Sequence, residues 1–281
     1  MTTAMVLSRG VGVLAQAGVP DPATDARRLM AHALGLEPGR LTLYLPDPIG
    51  PEAEAAFDAL IARRAAREPV SQITGRRRFY GRDFRVTADV LDPRPETEIL
   101  IEAALAAPFD TVLDLGTGSG CILLTLLAEM EGTRGLGIDV SPAACAVARQ
   151  NASALGLGAR AEIVEGSWFE MVRGHYDLIV SNPPYISAEE MGDLAPEVRD
   201  WEPRAALTDE ADGLTAYRLI TAGASRHLVP DGRLLLEIGP GQGAAVVEMA
   251  HEAGFKEVRL VRDLDGRDRV VACSEPRDVP F

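Results

Sequence analysis

The sequence predicts an α/β fold: a mostly parallel sheet covered by helices, finished by an antiparallel C-terminal strand and preceded by a small helical domain and a β-hairpin. Three observations carry this. From residue 96 onward, short apolar runs alternate with helical stretches, the pattern of a parallel sheet buried on both faces. The last two strand-like runs, residues 257–262 and 269–274, are separated by only six residues, too few for a helical crossover, so they pair antiparallel. Residues 2–68, by contrast, place apolar side chains at spacings of three and four, as helices do.

Three helices are predicted at the N-terminus, over residues 4–17, 21–36 and 52–67, with breaks at Gly18-Val19-Pro20 and Leu45-Pro46-Asp47-Pro48. Strand-type residues follow between Val70 and Val90, with Gly81 near the middle of residues 79–86 as in a hairpin. The expected organisation is a helical domain over residues 1–69, a hairpin linker over 70–92 and the α/β domain over 93–281. A helix over residues 96–106 opens the α/β domain. The run Thr111, Val112, Leu113, Asp114, Leu115 is its first buried strand, and it leads through Gly116, Thr117, Gly118, Ser119 and Gly120 into an apolar helix.

Glycine at alternate positions permits a tight turn and leaves the backbone free for a ligand, with N–H groups of the helix start pointing outward. The spacing is Gly-x-Gly-x-Gly; Cys121 stands where a dinucleotide fingerprint needs its third Gly, and no Gly-Lys-Ser/Thr ending is present. This weighs against a nicotinamide cofactor and against nucleoside triphosphates. The next strand, 134–138, ends at Asp139, about 20 residues past the turn, where an acidic group meets a ribose diol. Ser141 and Pro142 then open a helix as cap and first-turn proline, so Asp139 is not needed as the cap. A third strand, 161–165, leads to Ser167, Trp168 and Phe169, and a purine could stack on Trp168 at that strand end.

The apolar run Tyr176, Asp177, Leu178, Ile179, Val180 leads into Ser181, Asn182, Pro183, Pro184 and Tyr185, placing these on the loop at a strand's C-terminal end, where open α/β sheets do their chemistry. An Asn side chain offers one acceptor and two donors, the complement of a planar NH₂ group. Two prolines stiffen the loop and Tyr185 can supply an aromatic face. The long irregular stretch 185–213 follows directly; a loop of that length is usually functional, and it reads as a substrate-covering segment in which Arg204 anchors local structure.

Taken in chain order, the glycine turn, the ribose acid, the purine-side aromatic and the NH₂-reading loop resemble the Rossmann-like class I methyltransferases that use S-adenosylmethionine. Further segments narrow the resemblance to the PrmC/HemK protein-glutamine methyltransferases, which modify peptide chain release factors. They are Pro93-Arg94-Pro95-Glu96-Thr97-Glu98, the glycine turn, the Asn-Pro-Pro-Tyr loop, Glu202-Pro203-Arg204-Ala205-Ala206-Leu207 and Leu235-Leu236-Glu237-Ile238-Gly239. Asp92 departs from the family pattern, where an apolar residue is usual. The resemblance implies that Asn182 and the carbonyl of Pro183 hold the substrate amide of the Gly-Gly-Gln loop, that Pro184 and Tyr185 pack beside it, and that Asn182 also borders the cofactor. It implies cofactor contacts from Gly116 to Gly120, Asp139 and Trp168, with Arg94, Pro95 and Thr97 near the methionine end. Glu98 and Glu237 are as well explained by structural pairing as by a site role. The helical domain would dock the substrate protein.

Composition narrows the partners. With 47% hydrophobic and 25% charged residues the chain is an ordinary globular protein. No apolar stretch approaches the ~20 residues that span a bilayer and residues 1–10 lack secretory features, so a cytoplasmic, monomeric protein without a membrane partner is expected. A net charge of −14 argues against a surface built for nucleic acid. Arg63, Arg64, Arg67 and Arg76 to Arg78 form a local basic exception, most simply a solvated face. Cys121, Cys145 and Cys273 lack metal spacing and the four histidines are scattered, so no metal is expected. A nucleic-acid amino methyltransferase, which would use the same loop on an unpaired base, and a non-catalytic cofactor-binding subunit are the competing readings.

Overall fold

The computed structural model describes residues 1–274 and forms two compact units, one of residues 1–76 with 195–201 and one of residues 77–194 with 202 onward. In the first unit, α1 (Thr3–Gln16) starts where the Thr2 hydroxyl accepts from the Met5 N–H, and α2 (Pro22–Ala33) starts at an Asp21 cap followed by proline. With α3 (Pro51–Ala65), they bury Val6, Leu14, Leu29, Met30 and Phe57 completely. Each such side chain contributes roughly 1.5–3 kcal/mol. A short helix α4 (Val70–Thr74) occupies the stretch whose residues are strand-type by propensity: Pro69 begins it and Gly75, in the left-handed region, ends it.

Segment 195–201 belongs to this helical unit because of ion pairs that sequence spacing does not reveal. The guanidinium of Arg64, 6% exposed, donates to Glu197 and to Asp25, both at 2.8 Å, and Arg67 donates to Glu197 at 2.7 Å. Burial opposes ionisation of Glu197, yet Arg67 and Arg64 hold its carboxyl below the ordinary range. The Gln72 amide donates to the Trp201 carbonyl at 2.9 Å.

The second unit begins with the hairpin β1 (Arg76–Phe79) and β2 (Arg82–Arg85), turned at Tyr80 and Gly81, both with positive φ, the geometry of a two-residue hairpin turn. A 3₁₀ turn, Pro95–Thr97, precedes α5 (Glu98–Leu105). Then come β3 (Thr111–Leu115), α6 (Cys121–Glu129), β4 (Arg134–Asp139), α7 (Pro142–Ala154), β5 (Ala161–Glu165) and β6 (Tyr176–Ser181). After the long loop, α8 (Thr215–Ala224), β7 (Leu228–Glu237), α9 (Gly243–Glu252), β8 (Glu257–Arg262) and β9 (Asp268–Ser274) complete the unit.

The seven strands lie in the order β5-β4-β3-β6-β7-β9-β8, with β9 antiparallel to both neighbours, so the mostly parallel sheet and antiparallel terminal pair are as the sequence predicts. Alternation along β3 explains the two-sided core. Val112 faces Leu100, Leu123 and Ala148 from α5 to α7, whereas Leu113 and Leu115 face Tyr217, Ile220 and Val246 from α8 and α9. Register aligns Leu115 with Ser181 and Ser181 with Leu236. The loops that follow β3, β6 and β7 therefore leave the sheet in one row, at the switch point between β3 and β6.

The long loop is built from single turns, Glu190–Asp193, Pro196–Arg199 and Arg204–Leu207. Its anchor in this unit is Glu202, whose carboxylate receives Arg94 Nη2 at 2.7 and 2.6 Å, and not Arg204, which pairs with the exposed Glu210. Burial decides this: the Glu202 side chain is 2% exposed and needs a partner.

Candidate active site

The glycine turn is fixed from below by two carboxylates. Asp114, fully buried on β3, accepts from the Thr117 hydroxyl at 2.7 Å and from the Leu123 N–H at 3.3 Å. Burial pushes its carboxyl up to about 7 against those two donors. Asp139, at the end of β4, accepts from the Gly118 N–H at 2.8 Å through Oδ2 and from the Ser141 N–H at 2.9 Å through Oδ1. Burial raises its pKa, and the two N–H groups oppose that. The N–H groups of Gly116 and Thr117 both donate to the Ile138 carbonyl, at 2.8 and 2.9 Å, tying the turn to β4. Asn151 on α7 donates to the Ser119 carbonyl at 2.8 Å.

The three turn glycines all have positive φ but differ in what surrounds them. A Cβ at Gly116 or Gly118 would meet nothing within 4 Å, because their backbone faces an open cleft. A Cβ at Gly120 would meet Leu124 and Ala148 at 3.0 and 3.3 Å, so that glycine serves helix packing.

The cleft has a volume of about 370 Å³, within the range of small-molecule sites, and lies wholly in the second unit. Gly116, Thr117, Gly118 and Ser119 form its floor, and Asp139, Val140 and Trp168 one wall. Thr97, Arg94, Asn182 and Pro184 form another, and Pro203, Ala205 and Ala206 approach from the long loop. Of the residues the sequence assigns to cofactor or substrate, Pro95, Gly120, Pro183 and Tyr185 do not line it. Pro183 is buried, and Tyr185 turns its ring toward Gly239 while its carbonyl accepts from Gln242 Nε2 at 2.8 Å. Burial, with the nearby Glu237 charge, pushes the Tyr185 phenol up to about 12. Phe169 stacks on His227 with centroids 5.0 Å apart, leaving Trp168 as the aromatic on the cleft.

The residues fit S-adenosylmethionine. Bare glycine backbone leaves room for the amino-acid part, and each Asp139 oxygen keeps a lone pair for a ribose hydroxyl after its N–H bond. Trp168 and Val140, an apolar residue left 67% exposed beside Asp139, give a flat base apolar contact. Val140, Ala205 and Ala206 have no site role assigned from sequence; the signals are an apolar residue directly after the strand-ending acid and, for the two alanines, membership of the Glu202–Leu207 segment.

At the reactive end, the Asn182 amide donates through Nδ2 to the Thr97 hydroxyl at 3.3 Å. Glu237, 1% exposed at the end of β7, lies beside Thr97 and Asn182; burial pushes its carboxyl up to about 7, and those two neighbours oppose the shift. Among the described residues no group of His, Cys, Asp and Glu could hold a metal ion, and no helix is long and apolar enough to cross a membrane.

Comparison with known proteins agrees with this geometry. The PrmC N-terminal domain family matches residues 6–75 and the methyltransferase small domain family residues 88–197. The release factor glutamine methyltransferase of Cereibacter sphaeroides is 59% identical, over 98% of this chain and 99% of the relative. That of Geobacter sulfurreducens is 43% identical, over 96% and 95%. Among solved structures, a methyltransferase from Pyrococcus furiosus superposes with a TM-score of 0.55 at 16% identity, over 78% of this chain and 98% of that one. The hMettl16 catalytic domain gives 0.59 at 19%, over 79% and 83%, a likeness of fold.

Sheet order, cleft and matches together define the class, an S-adenosylmethionine-dependent class I methyltransferase. Within that class, the chain belongs to the release factor glutamine methyltransferase family.

Proposed function

We propose that this chain methylates the side-chain amide nitrogen of the glutamine in the Gly-Gly-Gln loop of a peptide chain release factor. The observation that carries the reading is the state of Asn182: its NH₂ end is taken up by Thr97, so its Oδ1 is the acceptor left beside the cleft. S-adenosylmethionine, when bound, supplies an electrophilic methyl group on a sulfonium. Everything else is positioning by the chain's own residues.

An amide nitrogen is a poor nucleophile because its lone pair is delocalised. Acceptance of both N–H groups, one by Asn182 Oδ1 and one by the Pro183 carbonyl, would fix the nitrogen and favour the positive charge it gains on transfer. Such orientation supplies up to about 7–11 kcal/mol when the geometry is near attack. Prolines at 183 and 184 fix φ in the loop that presents this carbonyl. Asp139 and the turn hold the donor, with Arg94 kept in place by Glu202 on the opposite wall. The high pKa of the Tyr185 phenol suits an apolar packing role and not proton transfer.

The partner is a protein and not nucleic acid, because a net charge of −14 opposes phosphate contact. A substrate that works at the ribosome places the reaction in the cytoplasm. A transfer assay with labelled S-adenosylmethionine, offering release factor and RNA side by side, tests the reading. Label in the release factor, lost when its Gly-Gly-Gln glutamine is replaced, is the expected result; label in RNA alone overturns it.

A further inference from the structure

Amide groups of Asn are nearly symmetric in shape, so something must decide which end of Asn182 faces the cleft. In this fold the neighbours decide it. Ser181 and Leu236 are paired in register, which sets the next residues, Asn182 and Glu237, side by side at the ends of β6 and β7. The Glu237 backbone is pinned: its carbonyl accepts from the Tyr217 hydroxyl at 2.9 Å, and the following Ile238 N–H donates to the Arg269 carbonyl at 2.9 Å. Its carboxyl is almost wholly buried, and Oε2 has no partner at all. Thr97 is 2% exposed and has one hydroxyl hydrogen to give. Once that hydrogen goes to Glu237, the Thr97 oxygen can only accept. Thr97 Oγ1 accepts from Asn182 Nδ2 at 3.3 Å, and the register sets the buried Glu237 carboxyl beside the same residue as a second acceptor.

We propose that Glu237 is a positioning residue: with Thr97 it captures the NH₂ end of Asn182 and so keeps Oδ1 turned to the cleft as an acceptor. A flipped amide would face two acceptors with a third and leave a buried N–H without a partner, which is the costly arrangement. Glu237 touches neither donor nor substrate in this scheme. It acts through Asn182, and the scheme rests on the amide-methylating reading of the cleft.

Glu237→Leu removes the acceptor at similar volume, and Glu237→Gln keeps one acceptor oxygen. The expected order of kcat is wild type, then Glu237→Gln, then Glu237→Leu at least about tenfold down, the scale of one lost hydrogen-bond preference. The KM for release factor and the affinity for S-adenosylmethionine stay within about twofold, since neither depends on a single amide orientation. Thr97→Val should repeat the loss and Thr97→Ser restore it, which keeps the test open should the Leu variant not fold. A kcat for Glu237→Leu and Thr97→Val within twofold of wild type overturns the proposal, as does a loss carried by KM or cofactor affinity alone. A second readout needs no substrate: the side-chain NH₂ resonances of Asn182, identified by their disappearance in Asn182→Ala. They should exchange slowly with solvent in wild type and faster in Thr97→Val. Equal exchange in both overturns the proposal even if release factor proves not to be the substrate, whereas slow exchange in wild type without methyl transfer to release factor counts only against the assigned reaction.

Discussion

Asp139 Oδ2 accepts the N–H of Gly118 at 2.8 Å, so the acid that closes β4 also holds the glycine turn in shape. The ribose contact we propose for Asp139 and the turn geometry would therefore depend on one carboxylate. Asp139→Ala should weaken S-adenosylmethionine by about 1.5–3 kcal/mol, roughly 10- to 100-fold. Asp139→Asn should lose nearly as much, because an amide has one acceptor oxygen for two N–H groups, Gly118 and Ser141, that now face both carboxylate oxygens. Titration calorimetry measures both, and unchanged affinity in the Ala variant removes Asp139 from the cofactor site.

Asn182→Ala separates binding from transfer. The cleft floor and the Asp139 wall are untouched by this change, so cofactor affinity should stay within about threefold while kcat falls by about 10²–10³, the scale for losing one preorganised group at a developing charge. Single-turnover rates beside cofactor titrations give the two numbers. Preserved turnover with lost affinity would mean that Asn182 serves the donor and not the acceptor.

Much of this was legible in the sequence because it is written in local pattern. The strand-glycine-helix order, the acid after β4 and the loop after β6 each occupy one contiguous run, and burial on both faces makes the parallel strands visibly apolar. What sequence could not show was set by distant pairings. Glu202 and Arg204 stand two apart, and only burial tells that the first meets Arg94 and the second stays at the surface. Glu237 lies beside Asn182 across a strand pair, 55 residues away in sequence, and the role we propose for it follows from that placement. Val70–Thr74 is helical despite strand-type residues because Pro69 and Gly75 bracket one turn.

Glu197 ties the segment after β6 to the helical unit, and its removal should be felt there. Glu197→Ala leaves Arg64 with one carboxylate, Asp25, beside the Glu68 carbonyl, and Arg67 without its carboxylate. The expected cost is about 2 kcal/mol, below the cost of fully orphaning a buried charge because Asp25 remains. Denaturation of the intact chain measures this, and limited proteolysis should cut within residues 186–212 faster than in wild type. Cleavage at the wild-type rate would show that the ion pairs do not hold the segment.

The pH dependence of stability should have an unusual sign. Asp114, Glu202 and Glu237 each have a folded pKa pushed up to about 7, chiefly by burial, against about 4 in an unfolded chain. Between these values the folded state binds protons that the unfolded state does not, so stability falls as pH rises from about 4 to 7. Asp209 works the other way: burial opposes its ionisation, but the Thr215 donors and the N–H groups of Ala211 and Gly213 hold it down to about 2. Its contribution is present above about 4 and is lost as pH falls toward 2. Stability should therefore peak near pH 4–5 and decline toward pH 8. Asp114→Asn keeps an acceptor for Thr117 and cannot ionise, so it should flatten the decline by its share and be more favourable, relative to wild type, at pH 8 than at pH 5. Urea titrations at both values decide the matter, and a stability that climbs steadily from pH 5 to 8 in wild type excludes the three buried carboxyls as its source.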